Sequence, residues 1–538
     1  MPLSPMRTSV RYGAVSGAHN QQPINPPGNT PAGFCWGKAS ELMPAYLIGV
    51  DIGTSSTKSL LMTPDGHILA TAAQEYPIHS PQPGWAEQDP QDWVDAVVAT
   101  LRNVLHDSGV NPAQVAGLSL AGQMHTLTPL DESGAPVRRA ILWADRRSVD
   151  QVTWLRQRLA DRLGPWTGNP LATGFMLPSW VWLLQHEPAA AARTRWLLLP
   201  KDYVRLRLTG QVGTEASDAS STLLFDPHTR AWSTPLLNEL EIDARLLPPL
   251  GGSLSVAGAL LPEMAYLTGL PTGLPVIFGG SDQAMQALGQ GILEPGVVSC
   301  TIGTGGQVFA PLHHPVHDPQ LRLHLFCHAA PDRWHLQGAI LSAGLALRWL
   351  RDNILNPENY AALADSAAEA AAASQGLFFL PHLAGERTPH MDPLVRAAFI
   401  GLDLRHTRAN LTRAVMEGVV FALRQTLDLV LELGAPLETL VAAGGSTRHP
   451  LWLQLQADIF NRAVHPSASA DSTAVGAALL AGVGAGVFAD LGEAVRRAVT
   501  PLRPPVQPDP ARAGMYSRAY ERYRQLYPAI KEWSSTTD

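Results

Sequence analysis

Cysteine is nearly absent: Cys35, Cys300 and Cys327 are the only three in 538 residues, and none belongs to a C-x-x-C pair. So odd and sparse a set excludes a disulfide framework and points to a reducing compartment, with the cytoplasm as the expected location. Charge is also sparse, at 16% of residues, and the net charge is −7. A surface that grips nucleic acid needs Lys/Arg patches, so that class is set aside. No uninterrupted apolar run reaches the ~18–20 residues of a membrane span. The pattern G-x-x-x-x-G-K-[ST] is missing, which excludes a P-loop nucleotide site. No short-period repeat is visible. What remains is a chain with 46% apolar residues. Its length suits two large domains at ~100–200 residues per domain.

Residues 1–42 are rich in Pro, Gly, Asn and Ser. They lack the ~7–15-residue apolar core of a secretory signal. They are expected to be a disordered tail or an upstream extension, with Met43 as a natural beginning.

Beyond Met43 the pattern is α/β. Ala45–Asp51 is an apolar run that predicts a buried strand. A turn over Gly53–Thr57, a strand over Lys58–Met62, a turn at Pro64-Asp65-Gly66 and a strand over Ile68–Tyr76 complete a meander. Asp89-Pro90 opens a helix to about Leu105, because Asp caps and Pro fits the first helical position. Val115–Ala121 is the next strand, and Val276–Phe278 is another that stops at Gly279-Gly280. The pattern then restarts: strand Gly296–Ile302, turn Gly303–Gly306, strand Gln307–Pro311. Gly53 and Gly303 lie 250 positions apart, as expected for two related domains that each begin with the same hairpin. Later come an Ala-rich helix (Tyr360–Ala373), a strand Leu440–Ala443, a helix Pro450–Phe460, a Pro-rich stretch (Pro501–Pro510) and a final helix near Arg512–Leu526.

Five segments carry candidate chemistry. In Asp51-Ile52-Gly53-Thr54-Ser55-Ser56, glycine lets the turn backbone approach an oxyanion, and successive N–H groups form an anion-binding concavity. Thr54 and Ser55 add hydroxyl donors, and Asp51 could orient Mg²⁺ through water. Gly303-Thr304 repeats the device, so two such hairpins could grip a polyphosphate from both sides; each taken alone is also an ordinary turn. Asp282-Gln283 stands at a strand end and helix start, where open α/β sheets place ligands. A carboxylate there could accept the proton of an attacking hydroxyl, or simply cap the helix. Met124-His125 follows a strand end and could read a sugar, or be a satisfied loop pair. Gly444-Gly445-Ser446 would admit a flat adenine ring or tight helix–strand packing, and Gly476-Ala477-Ala478 presents the same choice. Trp85, in a Pro/Gly-flanked loop, could cover a sugar face; the other tryptophans read as core. His313, His314 and His317 sit in a loop without the ligand set of a metal site and are not read as one.

Taken in order, DIGTSSTK (51–58), WAEQDPQDW (85–93), AGQMH (121–125), ILWADRRS (141–148), LLPKDYVRLRLTG (198–210), SDASSTLLFD (217–226), GGSDQA (279–284), TIGTGG (301–306), FCHAAPDRWHL (326–336), GERTPH (385–390) and AAGGSTRHPLW (442–452) resemble the FGGY carbohydrate kinases, from about Tyr46 to Tyr527. Within that family they are most like the xylulose-phosphorylating branch. The resemblance implies two ribonuclease H-like domains of the actin and sugar-kinase superfamily with a cleft between them. It implies a sugar-binding half over 44–293, a nucleotide-binding half over 294–500, and a Pro-rich linker with a terminal helix over 501–538, after the tail 1–43.

It also implies roles. Asp282 would be the proton acceptor; Met124, His125, Trp85 and Gln283 would lie about the sugar. Thr54 and Ser55 would face the γ-phosphate from one side, and Gly303 and Thr304 from the other. Gly444, Gly445 and Ser446 would line the adenosine pocket, and Asp51 would organise Mg²⁺. ATP and Mg²⁺ are the implied cofactors, and a small-molecule sugar and ATP the implied partners, with no nucleic acid and no membrane; a homodimer is compatible. The implied reaction makes D-xylulose 5-phosphate from D-xylulose. Thr126, Ala144 and Ser281 depart from that branch's usual residues, so gluconate or another ketopentose stays open. A gluconate site would need an extra cation near His125, with Arg146 and Arg147 as candidates. A non-catalytic or chaperone-like ATPase is the alternative of a different class.

Overall fold

A computed structural model describes residues 46–355, 359–468 and 471–535. The expected tail and Cys35 lie outside the described residues.

Two six-stranded sheets carry the molecule. In the first, Ile68–Glu75, Ser56–Met62 and Tyr46–Ile52 form the antiparallel meander. Val115–Gly122 then pairs parallel to Tyr46–Ile52, Pro275–Ser281 pairs parallel to Val115–Gly122, and Val256–Ala259 closes the edge antiparallel. In the second sheet, Trp334–Ile340, Gly306–Leu312 and Gly296–Ile302 repeat the meander. Leu437–Gly444 and Val464–Pro466 repeat the parallel pair. His324–Cys327 is added beyond the meander, on the opposite edge from the extra strand of the first sheet. The duplication expected from two Gly-Thr turns is thus a duplication of whole sheets.

Helices cover these sheets for identifiable reasons. Pro90–Ser108 starts where the Asp89 side chain accepts from the Gln91 amide and stops at Gly109, which has φ 64°. Its buried stripe of Trp93, Val97, Leu101 and Val104 faces the first sheet's core. Arg408–Glu432 begins with a capping box between Thr407 and Asn410 and is buried along most of its length. It is the axis of the second core.

Several elements differ from expectation. The strand Pro275–Ser281 does not stop at Gly279. Gly279, at φ 82°, bends the strand against its neighbour so closely that a Cβ would lie 1.9 Å from the Leu120 carbonyl oxygen. The Ala-rich helix ends at Glu369. Glu417 captures the next stretch instead, accepting from the Ala373 amide at 3.1 Å and the Ser374 hydroxyl at 2.8 Å. The terminal helix is two helices, Pro510–Tyr523 and Leu526–Ser535, and Tyr516, Tyr520 and Tyr523 are buried in the second core.

Residues 472–498 pack against the first sheet. Ala474, Val475, Ala478 and Leu479 share a core with Leu47, Leu60 and Met62. The small residues Gly476-Ala477-Ala478 serve helix packing. A Cβ on Gly476 would lie 2.0 Å from the Met285 carbonyl oxygen, and one on Gly289 would lie 1.9 Å from that of Ser472. Ser472–Gly484 and Asp282–Gly289 therefore touch backbone to backbone.

Candidate functional site

Register brings the first set of candidates together. Ile52 pairs with Gly122, and Gly122 pairs with Ser281, so three neighbouring strands end level. The next residues of each strand are Gly53-Thr54, Gln123-Met124-His125 and Asp282-Gln283. Parallel strands ending together leave a crevice at their carboxyl ends, and ligands of open α/β sheets bind there.

The first hairpin is held on several sides. The Gly53 amide donates to the Ser56 carbonyl at 3.0 Å, and Tyr76 Oη donates to the Gly53 carbonyl at 2.5 Å. Gln88 Nε2 donates to the Thr54 carbonyl at 2.7 Å, and Trp143 Nε1 donates to Thr54 Oγ1 at 2.8 Å. Ser55, at the tip, is exposed. Gln88 and Trp143 hold the hairpin although no motif singles them out; they sit inside the WAEQDPQDW and ILWADRRS segments.

Asp51 and Asp282 supply the acid groups. In each, Oδ1 is buried with no hydrogen-bond partner among the described residues. Burial first, and then the charge of Asp51, raises the Asp282 carboxyl to about 7, while hydrogen bonds from Gln283 act to lower it. Burial likewise raises Asp51 to about 7, with Lys58 opposing and Asp471 assisting. Lys58 Nζ itself pairs with Asp471 at 2.7 Å, so the lysine is only partly available to Asp51. An orphaned carboxylate oxygen beside an anion-cradling turn fits Mg²⁺, which takes one or two carboxylates and fills its shell with phosphate and water.

His125 has φ 71°, and its Nδ1 lies 2.8 Å from the Ser221 carbonyl oxygen. A carbonyl can only accept, so Nδ1 carries the proton and Nε2 is left as an acceptor. The ring lies 3.9 Å from that of Phe175, tilted by 33°. Burial lowers its pKa to about 3, with Ser221 opposing and Arg387 assisting. Met124 is buried at the same strand end.

One short segment, residues 215–222, ties these groups together. Ser221 holds His125, and Ser217 Oγ accepts from the Ser281 amide at 3.0 Å, just before Asp282. Beneath it lies a fully buried ionic cluster in which Lys201 Nζ is 2.7 Å from Asp202, 3.5 Å from Glu215 and 3.4 Å from Asp218. In the sequence, LLPKDY and SDASST are only marks of resemblance; nothing in either string alone shows that they meet.

Trp85 stands apart. Arg147 covers its ring at 3.6 Å and Trp182 meets it edge-on at 5.2 Å. Arg147 is in turn paired with Asp145 and Glu87, both at 2.8 Å. The ring and the arginine are therefore engaged with each other and with the surrounding protein.

The second sheet repeats the arrangement. Ile302 pairs with Gly444, so the turn Gly303–Gly305 and the run Gly444-Gly445-Ser446 leave the sheet side by side. Gly303 and Thr304 are exposed. The Gly303 and Thr304 carbonyls accept from Gly344 and Leu345 at 2.8 and 3.0 Å, which fixes the turn. Gly444 has φ 78°, and a Cβ there would lie 2.5 Å from the Ile302 carbonyl oxygen. The Ser446 hydroxyl turns inward, 3.3 Å from the Ala443 carbonyl. No group of three or more His, Cys, Asp or Glu side chains is gathered as a metal cage among the described residues.

Each sheet thus ends level at a glycine hairpin, and two carboxylate oxygens without a partner, those of Asp51 and Asp282, stand at the end of the first. Residues 46–289 match the N-terminal domain, and 298–485 the C-terminal domain, of the FGGY family of carbohydrate kinases. The chain belongs to that family and is a carbohydrate kinase. It is 36% identical to the xylulose kinase of Bacillus subtilis strain 168 over 90% of this chain and 97% of that protein. It is 35% identical to the xylulose kinase of Escherichia coli K12, over 90% and 99%. The crystal structure of xylulose kinase from Rhodospirillum rubrum superposes with a TM-score of 0.84 at 32% identity, covering 91% of this chain and all of that one. The chain is a xylulokinase-like sugar kinase with the two-domain fold of the actin and sugar-kinase superfamily.

Proposed function

We propose that the enzyme transfers the γ-phosphoryl group of ATP to the terminal hydroxyl of D-xylulose, giving D-xylulose 5-phosphate. The observation that carries this is Asp282, a carboxylate at the level end of three strands, with Oδ1 unpartnered and the carboxyl raised to about 7. A base needs proton affinity near working pH and a free oxygen to receive the proton. The similarity to xylulose kinases supplies the sugar.

The sugar lies against the first sheet, between His125 and Asp282, with Met124 and Gln283 beside them. His125 Nε2 accepts from a sugar hydroxyl. Asp282 Oδ1 accepts the proton of the attacking hydroxyl as its oxygen bonds to phosphorus, late in a loose transition state. Thr54 and Ser55 on one side, and the backbone of Gly303 and Thr304 on the other, donate to the phosphoryl oxygens. The glycines at 444 and 445 leave room for the adenosine beside the second hairpin. Asp51, with its unpartnered Oδ1, would hold Mg²⁺, which would supply positive charge to the phosphates. Closure of the crevice excludes water and limits idle hydrolysis of ATP.

The test is ADP formation from ATP·Mg²⁺ with D-xylulose, L-xylulose, D-ribulose, L-ribulose, D-gluconate, glycerol and no acceptor. The expected outcome is a rate strongly raised by D-xylulose. Preference for another acceptor overturns the substrate; a rate indifferent to every acceptor overturns the sugar-directed reading.

A further inference from the structure

The strand His324–Cys327 is the outer edge of the second sheet, and residues of the N-terminal half cover that edge. The Leu325 amide donates to the Gly168 carbonyl at 3.3 Å, and the Cys327 amide donates to Ser220 Oγ at 3.1 Å. Asn169, wholly buried, belongs to the same seam. Its Nδ2 donates to the Thr167 and Leu325 carbonyls at 2.7 and 2.8 Å. Carbonyls only accept, so the orientation of the amide is fixed, and Oδ1 is left facing His324 Nδ1 at 3.1 Å. Nδ1 of His324 therefore carries the proton and donates it to Asn169.

The ring that Asn169 orients links two others. His324 stacks on Phe175 at 5.6 Å and on Phe326 at 5.3 Å, with interplanar angles of 20° and 10°. Both phenylalanines also adjoin His125, whose ring lies 3.9 Å from that of Phe175 and 5.9 Å from that of Phe326. The bond from His125 Nδ1 to the Ser221 carbonyl fixes one edge of the imidazole. The plane of the ring, and with it the direction of Nε2, is left to the neighbouring rings. Phe175, Phe326 and His324 are all buried, so none of them has room to turn freely. An aromatic cluster needs no polar member, and burying an imidazole and an amide costs free energy unless both are hydrogen-bonded. What a satisfied buried pair adds is one allowed orientation.

We propose that His324, oriented by Asn169, is a positioning residue for the acceptor site: through Phe175 and Phe326 it sets the direction of His125 Nε2. This role rests on the reading of His125 as a sugar contact and deepens it. Asn169 lies in the N-terminal half and His324 in the C-terminal half. The contact of His125 with the sugar therefore depends on the seam between the halves and not on the N-terminal half alone.

The test is a double-mutant cycle, run on the acceptor that the wild type prefers. His324→Phe keeps a ring in place and loses the bond to Asn169; Asn169→Ala breaks the same bond from the other half. Each is expected to raise KM for the acceptor about 3–10-fold, the range of one hydrogen bond, with kcat and KM for ATP changed less than about twofold. In a His125→Ala background the same substitutions should raise KM for the acceptor no further, because the group they position is gone. Equal effects in the two backgrounds, or a matching rise in KM for ATP, would mean that the seam only supports the fold, and would overturn the proposal. So would an unchanged KM for the acceptor in both single variants. If His324→Phe fails to fold, Asn169→Ala decides by the same cycle. His125→Ala by itself separates the two readings. If it leaves KM for the acceptor at the wild-type value, the sugar contact fails and this role fails with it. If it raises that KM while the cycle is additive, only the positioning role is overturned.

Discussion

The negative charge of Asp51 raises the proton affinity of Asp282 across one intervening strand end. Burial makes the larger contribution, and together they hold the carboxyl at about 7. Asp282→Asn keeps the shape and loses the proton acceptor. Turnover is expected to fall about 10²–10⁴-fold. The melting temperature should stay level or rise, because an uncompensated buried charge is removed. Turnover near that of wild type in a folded variant would remove Asp282 from the chemistry.

The same shift sets the pH dependence. Asp282 must be ionised to act, so kcat/KM for the sugar is expected to fall as pH drops below about 7. Asp51→Asn removes the second cause of the shift and should move that acid limb to lower pH, whatever it does to the maximum. Stability has the opposite slope. An unfolded Asp titrates near 4, so between about 4 and 7 the folded ligand-free protein binds more protons than the unfolded chain. The contribution of this pair to stability is therefore lost as pH rises through that window. Melting curves at pH 5, 6, 7 and 8 check it, and the slope should flatten in Asp282→Asn.

Much of this candidate site's placement at strand ends was legible in the chain. Asp51, Thr54, Asp282 and His125 follow apolar runs that read as strands, and a strand end is where open sheets put ligands. The register aligning Ile52, Gly122 and Ser281 was not legible, since pairing depends on which strands become neighbours. The path of residues 472–498 was hidden for a related reason. Gly476-Ala477-Ala478 shows only that something approaches closely, and either an adenine or the Met285 backbone would satisfy that. Trp85 has the exposed-loop context of a sugar-stacking ring, but its partner Arg147 lies beyond any local pattern.

His125 is held neutral, because burial lowers its pKa to about 3. Its contribution to sugar binding should therefore be flat between about pH 6 and 9, unlike that of an imidazole titrating near 6.5. His125→Ala is expected to raise KM for the sugar about tenfold or more, the worth of one well-placed hydrogen bond to a buried acceptor. The KM for ATP should change little. A rise confined to ATP would place this residue elsewhere in the cycle.

Lys201 gives a stability prediction. Burial opposes its charge, but Asp202, Asp218 and Glu215 together overcome this and hold its pKa up. Burial also raises Asp218 well above the usual carboxylate range, in spite of Lys201. Lys201→Met leaves Arg205 to compensate Asp202 but removes the cation facing Glu215 and Asp218. Urea unfolding should show a loss of about 3–5 kcal/mol, the range for breaking a buried ion pair on one side. Turnover should fall as well, because Glu215 anchors Ser217 at 2.8 Å and Ser217 fixes the strand end before Asp282. A variant as stable as wild type would mean that the acids simply take up protons at little cost.

Gly444 and Gly445 offer a paired test, since the two glycines differ sharply in what they tolerate. Gly444 sits at φ 78°, with the Ile302 carbonyl oxygen 2.5 Å from where a Cβ would be. With ψ −165° this backbone lies in a region essentially reserved for glycine, and it costs another residue about 1–3 kcal/mol before any clash is counted. Gly445 has the same oxygen at 3.9 Å, an ordinary contact, and no left-handed φ. Gly444→Ala is expected to lower the melting temperature and raise the KM for ATP, since Ile302 leads directly into the second hairpin. Gly445→Ala should leave the melting temperature unchanged, so any rise in its KM for ATP reports space needed by the nucleotide alone. If both variants melt like wild type and bind ATP equally well, this run of small residues is neither strained nor part of the adenosine pocket.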